Sequence, residues 1–257
     1  MRISAVIIAG DEEAKIADAL RSVAWADEVL VIDSESTDRT REIAAALGAT
    51  VISRPWPGFA AQKQFGVDHA KNDWIFSLDA DERVSTELIA EIETIRSGPE
   101  PVVAGYRIPR LSYYLGRPIR HSGWYPDWQL RFFDRRRAKW SDDLIHESVR
   151  ANDGETIGRL ERDIIHLSVE NPTHHHEMIG KRYAPLAAKQ MFDRGRRTSA
   201  LRVMTAGPTA FLSTYLIKAG FLDGFAGFCI ARFAAHHAFL KHLLLWEMQQ
   251  AEKVDHA

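Results

Sequence analysis

The sequence predicts an α/β fold: a mainly parallel sheet with helices on both faces, followed by a C-terminal α-helical extension. Three observations carry this. In the first hundred residues an apolar run followed by an amphipathic, helix-length segment recurs four times, the pattern of βαβ units whose strands are buried on both faces. After Pro101 the pattern shifts to short strand-like runs separated by turns. From residue 171 onward it becomes helical. We therefore divide the chain into 1–170, with a change of character near residue 100, and a helical extension over 171–257.

The elements follow in order. Ile3–Ala9 is a first strand. Its apolar run is too brief for a leader peptide, and acidic Asp11-Glu12-Glu13 follows where small residues would lead to cleavage. A helix over Glu13–Val23 comes next. Val29–Ile32 precedes a helix over Asp38–Leu47 that Gly48 ends, with Asp38 where an N-cap belongs. Thr50–Ser53 precedes Phe59–Ala70, and Trp74–Leu78 precedes Ser85–Ile95, closed by Ser97-Gly98-Pro99. Val103–Ile108 and Ser112–Leu115 are strand-like, with Gly116-Arg117-Pro118 as a turn; the stretches Trp124–Phe133 and Leu144–Val149 and the run to Ile164–Leu167 follow. Helices are expected over Thr173–Arg194, Thr209–Gly220 and Phe225–Gln249.

Composition narrows the function. The 257 residues, 46% hydrophobic, suffice for one large domain or a domain with an appendage. The single cysteine, Cys229, excludes an intrachain disulfide and fits a reducing compartment. The net charge of -2 hides an asymmetry: acids dominate the first hundred residues, while Arg and Lys crowd 131–139 and 181–202. That total, with acidic strand ends, counts against nucleic acid as a partner. The longest uncharged stretch, 203–217, contains Gly207-Pro208 and falls short of the ~18 apolar residues that span a bilayer.

In parallel sheets ligands collect at the carboxyl ends of the strands. Three of the four ends carry acids: Asp11-Glu12-Glu13, Asp33 through Asp38, and Asp79-Ala80-Asp81-Glu82. In a continuing strand Asp79 and Asp81 would share a face, roughly 6–7 Å apart. Two like charges there call for a positive partner, and a divalent cation on Asp81 carrying a phosphorylated ligand supplies it. The other reading makes Asp81 a cap for the helix near Ser85 and leaves Asp79 solvated in a turn. No Gly-x-Gly-x-x-Gly follows the first strand and no Gly-Lys-Ser/Thr appears, so phosphates are not held by a glycine-rich loop. Asp33 is placed to accept from an N–H donor such as a pyrimidine imide, or else to make an Asx turn.

The series Val6-Ile7-Ile8-Ala9-Gly10-Asp11-Glu12-Glu13, Val31-Ile32-Asp33 through Thr40, and Phe76-Ser77-Leu78-Asp79-Ala80-Asp81-Glu82 resembles the nucleotide-sugar half of family 2 glycosyltransferases with the Rossmann-like GT-A fold. The resemblance implies a UDP-sugar donor, a Mg²⁺ or Mn²⁺ ion and inversion at the anomeric carbon. By position it implies Asp33 at the base, Glu12 and Asp79 at the nucleoside, Ile8 and Ala9 beside them, Asp81 at the metal, and Lys63 near the donor. Asp11 departs from the family, where an Asn or similar residue is usual.

Residues 101–170 would then form the acceptor half. An inverting transferase needs a carboxylate to take the acceptor hydroxyl's proton. Glu147, after Leu144-Ile145-His146, is favoured, with Asp127 as the alternative base or acceptor binder. An ion pair with a nearby arginine is the structural alternative for Glu147. The family implies His166 as a second metal ligand; a histidine satisfied at a strand end is the competing view. His174-His175-His176 is discounted as a metal site, because consecutive residues on a helix diverge. Trp124 and Trp128 suit stacking on a sugar, whereas Trp140 reads as core. The aromatic-Asp-Trp-Gln-Leu-Arg stretch, His146-Glu147 and the tail around Gly207-Pro208 and Tyr215–Phe228 resemble the lipopolysaccharide core β-1,4-glucosyltransferase branch of the family.

The tail places Lys181, Arg182, Lys189, Arg194, Arg196, Arg197 and Arg202 before the apolar 203–217 segment, an arrangement that suits an anionic membrane surface. Arg135-Arg136-Arg137 is a candidate for acceptor phosphates. The expected function is transfer of a sugar, glucose by resemblance, from a UDP-sugar to a lipid-linked or phosphorylated saccharide such as the lipopolysaccharide inner core. The expected location is cytoplasmic, peripheral on the inner face of the cytoplasmic membrane. Two alternatives are a sugar-1-phosphate nucleotidyltransferase, which should show a Gly-rich loop that Ile8-Ala9-Gly10-Asp11 does not supply, and a non-catalytic membrane-docking protein that retains the fold.

Overall fold

Alternation along the first strand, β1 (Ile3–Ala9), organises the sheet. Ile3, Ala5, Ile7 and Ala9 face one core with α1 (Ile16–Ser22) and α2 (Thr40–Ala46), whereas Val6 and Ile8 face a second core. Both sets are buried, as a central parallel strand requires. The computed structural model describes residues 1–141, 148–167, 169 and 171–255, with side chains through residue 252.

Strands β2 (Glu28–Asp33), β3 (Thr50–Ser53) and β4 (Trp74–Asp79) complete a parallel half in the order β3-β2-β1-β4. Helix α3 (Phe59–His69) covers the second core through Val67. It lies close to the sheet because Gly66 has no side chain: a Cβ there would fall 2.4 Å from Val6 Cγ1 and 2.9 Å from Ile32 Cγ1. After β4 the chain turns at Ala80-Asp81 into β5 (Glu82–Val84), and α4 (Thr86–Ser97) follows with Ser85 Oγ capping the Leu88 N–H.

Beyond β4 the sheet turns largely antiparallel. The strands are β6 (Gly105–Tyr114), β7 (Arg117–Pro118), β8 (Asp127–Asp134), β9 (Ala138–Trp140), β10 (Val149–Ala151), β11 (Ile157–Arg159) and β12 (Ile164–His166). The main path continues β4-β8-β6-β12-β5, β11 pairs β6 in parallel, and β9 and β10 form a separate ladder. The two strand-like runs expected at 103–108 and 112–115 are one strand, β6, continuous through Pro109.

Two compact units emerge: Met1–Leu111 with Asp127–Ser168, and Ser112–Pro126 with Val169–Ala257. In the second, Asn171 caps α5 (Pro172–Glu177) by accepting from the His174 N–H at 2.8 Å. The helix widens to π geometry over Met178–Tyr183 and continues as α6 (Ala184–Asp193). Next come α7 (Ala200–Leu212), a π turn over Ser213–Ile217, a 3₁₀ turn over Gly220–Asp223, and α8 (Gly224–Asp255). The helix expected from Thr209 starts nine residues earlier. Ser199 supplies its cap, and Pro208 lies inside it rather than breaking it. Among the described residues no helix is long and apolar enough to cross a membrane.

Candidate active site

Parallel register levels the strand ends. Ile8 is opposite Asp79 and Ala9 opposite Asp33, so the ends of β4, β1 and β2 form one row. Ile8 and Ala9 are buried there and contribute backbone. The loops above them are laced together. Asp11, with φ +53, accepts from the Thr37 N–H at 2.7 Å and donates its own N–H to Ser36 Oγ at 2.9 Å. Asp and Asn tolerate this left-handed backbone better than most residues. Asp38 caps α2 from one position further out than expected: Arg39 occupies the N-cap, while Asp38 Oδ1 accepts from the Thr40 N–H at 2.9 Å.

Asp33 is fully buried. Its carboxylate accepts from the Ser36 N–H (3.0 Å), the Ser36 hydroxyl and Ser53 Oγ (3.1 Å), with Arg41 Nε at 3.7 Å. It therefore ties Ser36 and the loop around it to the ends of β2 and β3. The Glu12 N–H donates to Thr40 Oγ1 at 2.8 Å, and the Glu12 carboxylate meets Lys15 Nζ at 3.4 Å.

The paired acids of the third strand end do not share one environment. Asp79 closes β4, whereas Asp81 lies in the turn after it, so strand alternation does not govern the second acid. Asp79 is held by two cations: Lys63 Nζ lies 2.9 Å from Oδ1 and Arg131 Nη2 lies 2.8 Å from Oδ2. Burial would raise its carboxyl, but Arg131 and then Lys63 outweigh burial and hold it well below the usual carboxylate range. Lys63 is itself buried, its ammonium 4.8 Å from the Trp140 ring centroid. Burial depresses its pKa and Asp79 only partly restores it. Its charge faces inward, onto Asp79.

Asp81 pairs instead with His166. β5 and β12 are antiparallel, with Glu82 opposite His166, and Leu167 N donates to Asp81 O at 2.9 Å. This brings His166 Nε2 to 3.4 Å from Asp81 Oδ2. Burial would raise the Asp81 carboxyl; the hydrogen bond and charge of His166 lower it below its ordinary value. Among the described residues no three His, Cys, Asp or Glu side chains converge. Asp81 nevertheless fits a divalent ion, because Mg²⁺ is typically held by one or two carboxylates and completes its shell with phosphate oxygens and water; His166 lies beside that carboxylate.

Three residues that pattern reading passed over join these acids into a chain. Arg131 Nη2 bridges Asp79 and Glu82 (3.2 Å to Glu82 Oε1), while Glu82 Oε2 accepts from the Asp79 N–H at 2.9 Å. Arg110 Nη1 meets the same Glu82 Oε1 at 3.1 Å and donates from Nε and Nη2 to Asp127 Oδ2 at 2.9 and 2.6 Å. Gln129 donates to Asp127 Oδ1 at 2.7 Å, and the Asp127 side chain is 35% exposed. Arg131 is the extra residue of a β-bulge. Phe132 pairs with Tyr106 and Leu130 with Arg107, leaving Arg131 unopposed. Bulges re-aim side chains. This one buries a guanidinium at 3% exposure, with Nε and Nη1 lacking an acceptor among the described residues.

The other candidates fall as follows. Glu147 lies outside the described residues. Trp140 is core, as expected; Trp128 carries Arg159 over its ring at 5.2 Å. Arg135, Arg136 and Arg137 are not a free phosphate patch. Arg135 donates to the Val67 and Ala70 carbonyls, Arg136 forks onto Asp134, and Arg137 pairs with Glu155. In the second unit the histidine triplet diverges, His175 stacking on Phe233 at 4.1 Å and His176 on His236 at 5.4 Å.

The family model described as Glycosyl transferase family 2 matches residues 4–152, more than half of the chain. The chain belongs to this family. An uncharacterized glycosyltransferase of Rickettsia typhi is 34% identical to this family member over 96% of this chain and 87% of the relative. The lipopolysaccharide core biosynthesis glycosyltransferase LpsC of Rhizobium meliloti is 27% identical over 93% of this chain and 89% of its own length. Among solved structures, glucosyl-3-phosphoglycerate synthase from Mycobacterium tuberculosis, in complex with Mn²⁺, UDP and glucosyl-3-phosphoglycerate, is 27% identical. That match has a TM-score of 0.35 and covers 45% of this chain, which spans less than half (44%) of that structure. The mixed sheet with its parallel half, the acidic strand ends and the family model all agree.

Proposed function

We propose that this glycosyltransferase moves a hexose, glucose by resemblance, from a UDP-sugar to a lipid-linked saccharide such as the lipopolysaccharide inner core, with inversion. The observation that carries the reading is the level row of strand ends, in which Asp79 is neutralised from within while Asp81 is left to pair with His166. Asp81 and His166 would hold Mg²⁺ or Mn²⁺, which when bound screens the diphosphate and eases its departure. Lys63 and Arg131 fix Asp79 toward the nucleoside. Asp33 and Asp11 hold the loop that receives the base, and Glu12, tied to Thr40 through its backbone N–H, would face the nucleoside. The unused Nε and Nη1 of Arg131 would meet an anionic oxygen of the donor.

The acceptor hydroxyl attacks C1 from the face opposite the diphosphate. The new C1–O bond forms as the C1–O bond to diphosphate breaks, and Glu147 takes the hydroxyl proton. Both Asp127 oxygens already accept hydrogen bonds from Arg110 and Gln129, which suits orienting the acceptor; Asp127 is the alternative base.

A peripheral position on the inner face of the cytoplasmic membrane is part of the proposal. Leu212, Leu216, Ile217, Phe221, Leu222 and Phe225 are exposed in succession from the end of α7 to the start of α8, Ile217 at 83%. Exposed apolar surface of this kind marks an interaction site. Lys181, Lys189 and Arg197 are tied in ion pairs with Glu177, Asp193 and Glu252, so a smaller set of cations than the sequence offered would face anionic lipid. The test is UDP release from a panel of nucleotide sugars, with and without acceptor glycolipid. Release confined to UDP-sugars and stimulated by acceptor is expected. Failure to turn over any of them would overturn the transferase reading.

A further inference from the structure

The second unit holds a cavity of about 310 Å³, at the small end of the roughly 300–1,000 Å³ typical of ligand sites. It has room for one sugar ring rather than an oligosaccharide. Its lining gathers Trp124 from the 112–126 segment, His175 and Tyr183 from the helix after Asn171, Lys218 from the turn after α7, and Phe233 and His237 from α8.

The walls are fixed before any ligand arrives. Trp124 packs edge-on against Tyr114 at 5.8 Å and His175 at 6.2 Å, and His175 Nδ1 lies 3.2 Å from the Tyr114 hydroxyl. Buried Asp223 ties the Trp124 segment to the helices. It accepts from the N–H groups of Arg120 and His121, both at 3.1 Å, and from Ser122 Oγ at 2.8 Å.

The polar groups that remain unused define the ligand. Burial, reinforced by His174, pushes His175 down to about 4, and burial followed by Lys241 lowers His237, so both imidazoles are neutral. His237 Nε2 is buried without a partner among the described residues. A neutral ring nitrogen there suits a hydroxyl, which both accepts and donates. Lys218 is exposed and forms no ion pair among the described residues, its stem laid on Gly123 so closely that a Cβ there would sit 2.6 Å from Cδ. Trp124 and Tyr183 offer the apolar ring faces on which sugar C–H groups pack. No third His, Cys, Asp or Glu joins the two imidazoles to make a metal site among the described residues.

We propose that this cavity is a second carbohydrate site, which binds a phosphorylated sugar with its ring against Trp124, a hydroxyl on His237 Nε2 and its phosphate on Lys218. A neutral sugar would leave Lys218 unused, and free phosphate would leave Trp124 and His237 unused. The inference rests on the second unit alone and stands apart from the transferase reading.

Calorimetry on the full chain tests it, with glucose 6-phosphate, glucose and inorganic phosphate titrated in turn in saturating UDP and Mn²⁺. Glucose 6-phosphate should bind more tightly than either of the others. Lys218→Gln should weaken it about tenfold or more, as loss of a charge-assisted hydrogen bond does. His237→Phe should weaken glucose 6-phosphate but not inorganic phosphate. Vesicles of phosphatidylcholine with and without a phosphorylated glycolipid distinguish the sources: a gain that requires the glycolipid and Lys218 assigns the site to a lipid-borne sugar phosphate, and binding of glucose 6-phosphate alone assigns it to a soluble one. Absence of binding to both, or affinities untouched by either substitution in variants whose unfolding curves match the parent, overturns the proposal. UDP binding measured in the same samples reports separately on the transferase reading.

Discussion

Replacing Arg131 with Met tests the buried charge chain most severely. Arg131 is buried at the bulge and touches two carboxylates, Asp79 at 2.8 Å and Glu82 at 3.2 Å. Methionine fills similar volume without charge, so the loss is electrostatic rather than a cavity. Asp79 keeps Lys63 and Glu82 keeps Arg110, so neither acid is wholly abandoned. Removing one partner from a buried ionic cluster typically costs about 3–5 kcal/mol, a large part of the roughly 5–15 kcal/mol by which a folded protein is stable. The effect should depend on pH. Asp79 has a depressed pKa in the folded state, so it contributes stability that is present above the unfolded carboxylate value of about 4 and lost as pH falls through the folded one. Without Arg131 that depression largely disappears, so parent and variant should differ most at pH 7 and converge as pH drops below about 4. Urea unfolding followed by tryptophan fluorescence reads this unit well, because five of the seven tryptophans (Trp25, Trp56, Trp74, Trp128 and Trp140) belong to it. A difference under about 1 kcal/mol at pH 7, or one that stays constant with pH, would refute the reasoning.

Other outcomes follow from particular contacts. Glu147→Gln should abolish turnover yet retain UDP binding; if Asp127→Asn is the inactive variant and Glu147→Gln is active, the base is Asp127. Gly66→Ala should destabilise by about 1–3 kcal/mol despite the better helix propensity of alanine, because the new methyl meets Val6 and Ile32; a gain in melting temperature would contradict the close packing of α3. His175, lowered from 6.5 to about 4, contributes stability present above pH 6.5 and lost as pH falls toward 4, at most about 3 kcal/mol. His175→Phe should flatten that part of the pH–stability profile, and an unchanged profile would show that the imidazole is not the group responsible.

Much of this fold was legible because parallel strands buried on both faces leave continuous apolar runs. The first four strands lie within one or two residues of their expected limits, and the acids at their ends align because parallel register permits little else. What escaped depends on backbone irregularity or long-range contact. The i, i+2 spacing of Asp79 and Asp81 implied one shared face, but the chain turns at Ala80 and sends the second acid to His166. Arg131 continues the alternation of Asp127 and Gln129, the signal that this strand carries polar machinery, but the bulge that leaves Arg131 unopposed and buried cannot be read from that alternation. Gly207-Pro208 read as a break, yet Gly207 lets α8 approach, a Cβ there meeting the Ala235 carbonyl at 3.3 Å, and the helix runs through. Residues 112–126 look like more sheet in sequence, and long-range contacts attach them to the helical unit: the bonds from Asp223, the Ser122 N–H to the Lys218 carbonyl, and the packing of Tyr114 and Ile119 on Ala226 and Ile230.

The proposed transfer depends on Asp81, with His166, holding a divalent ion that carries the UDP moiety. Calorimetric titration of UDP into the parent and Asp81→Asn chains, each in Mn²⁺ and in chelator, addresses it directly. Tight binding by the parent only in Mn²⁺ and weak, ion-independent binding by the variant are expected, with both chains equally folded. Equal, ion-dependent binding by both would contradict it.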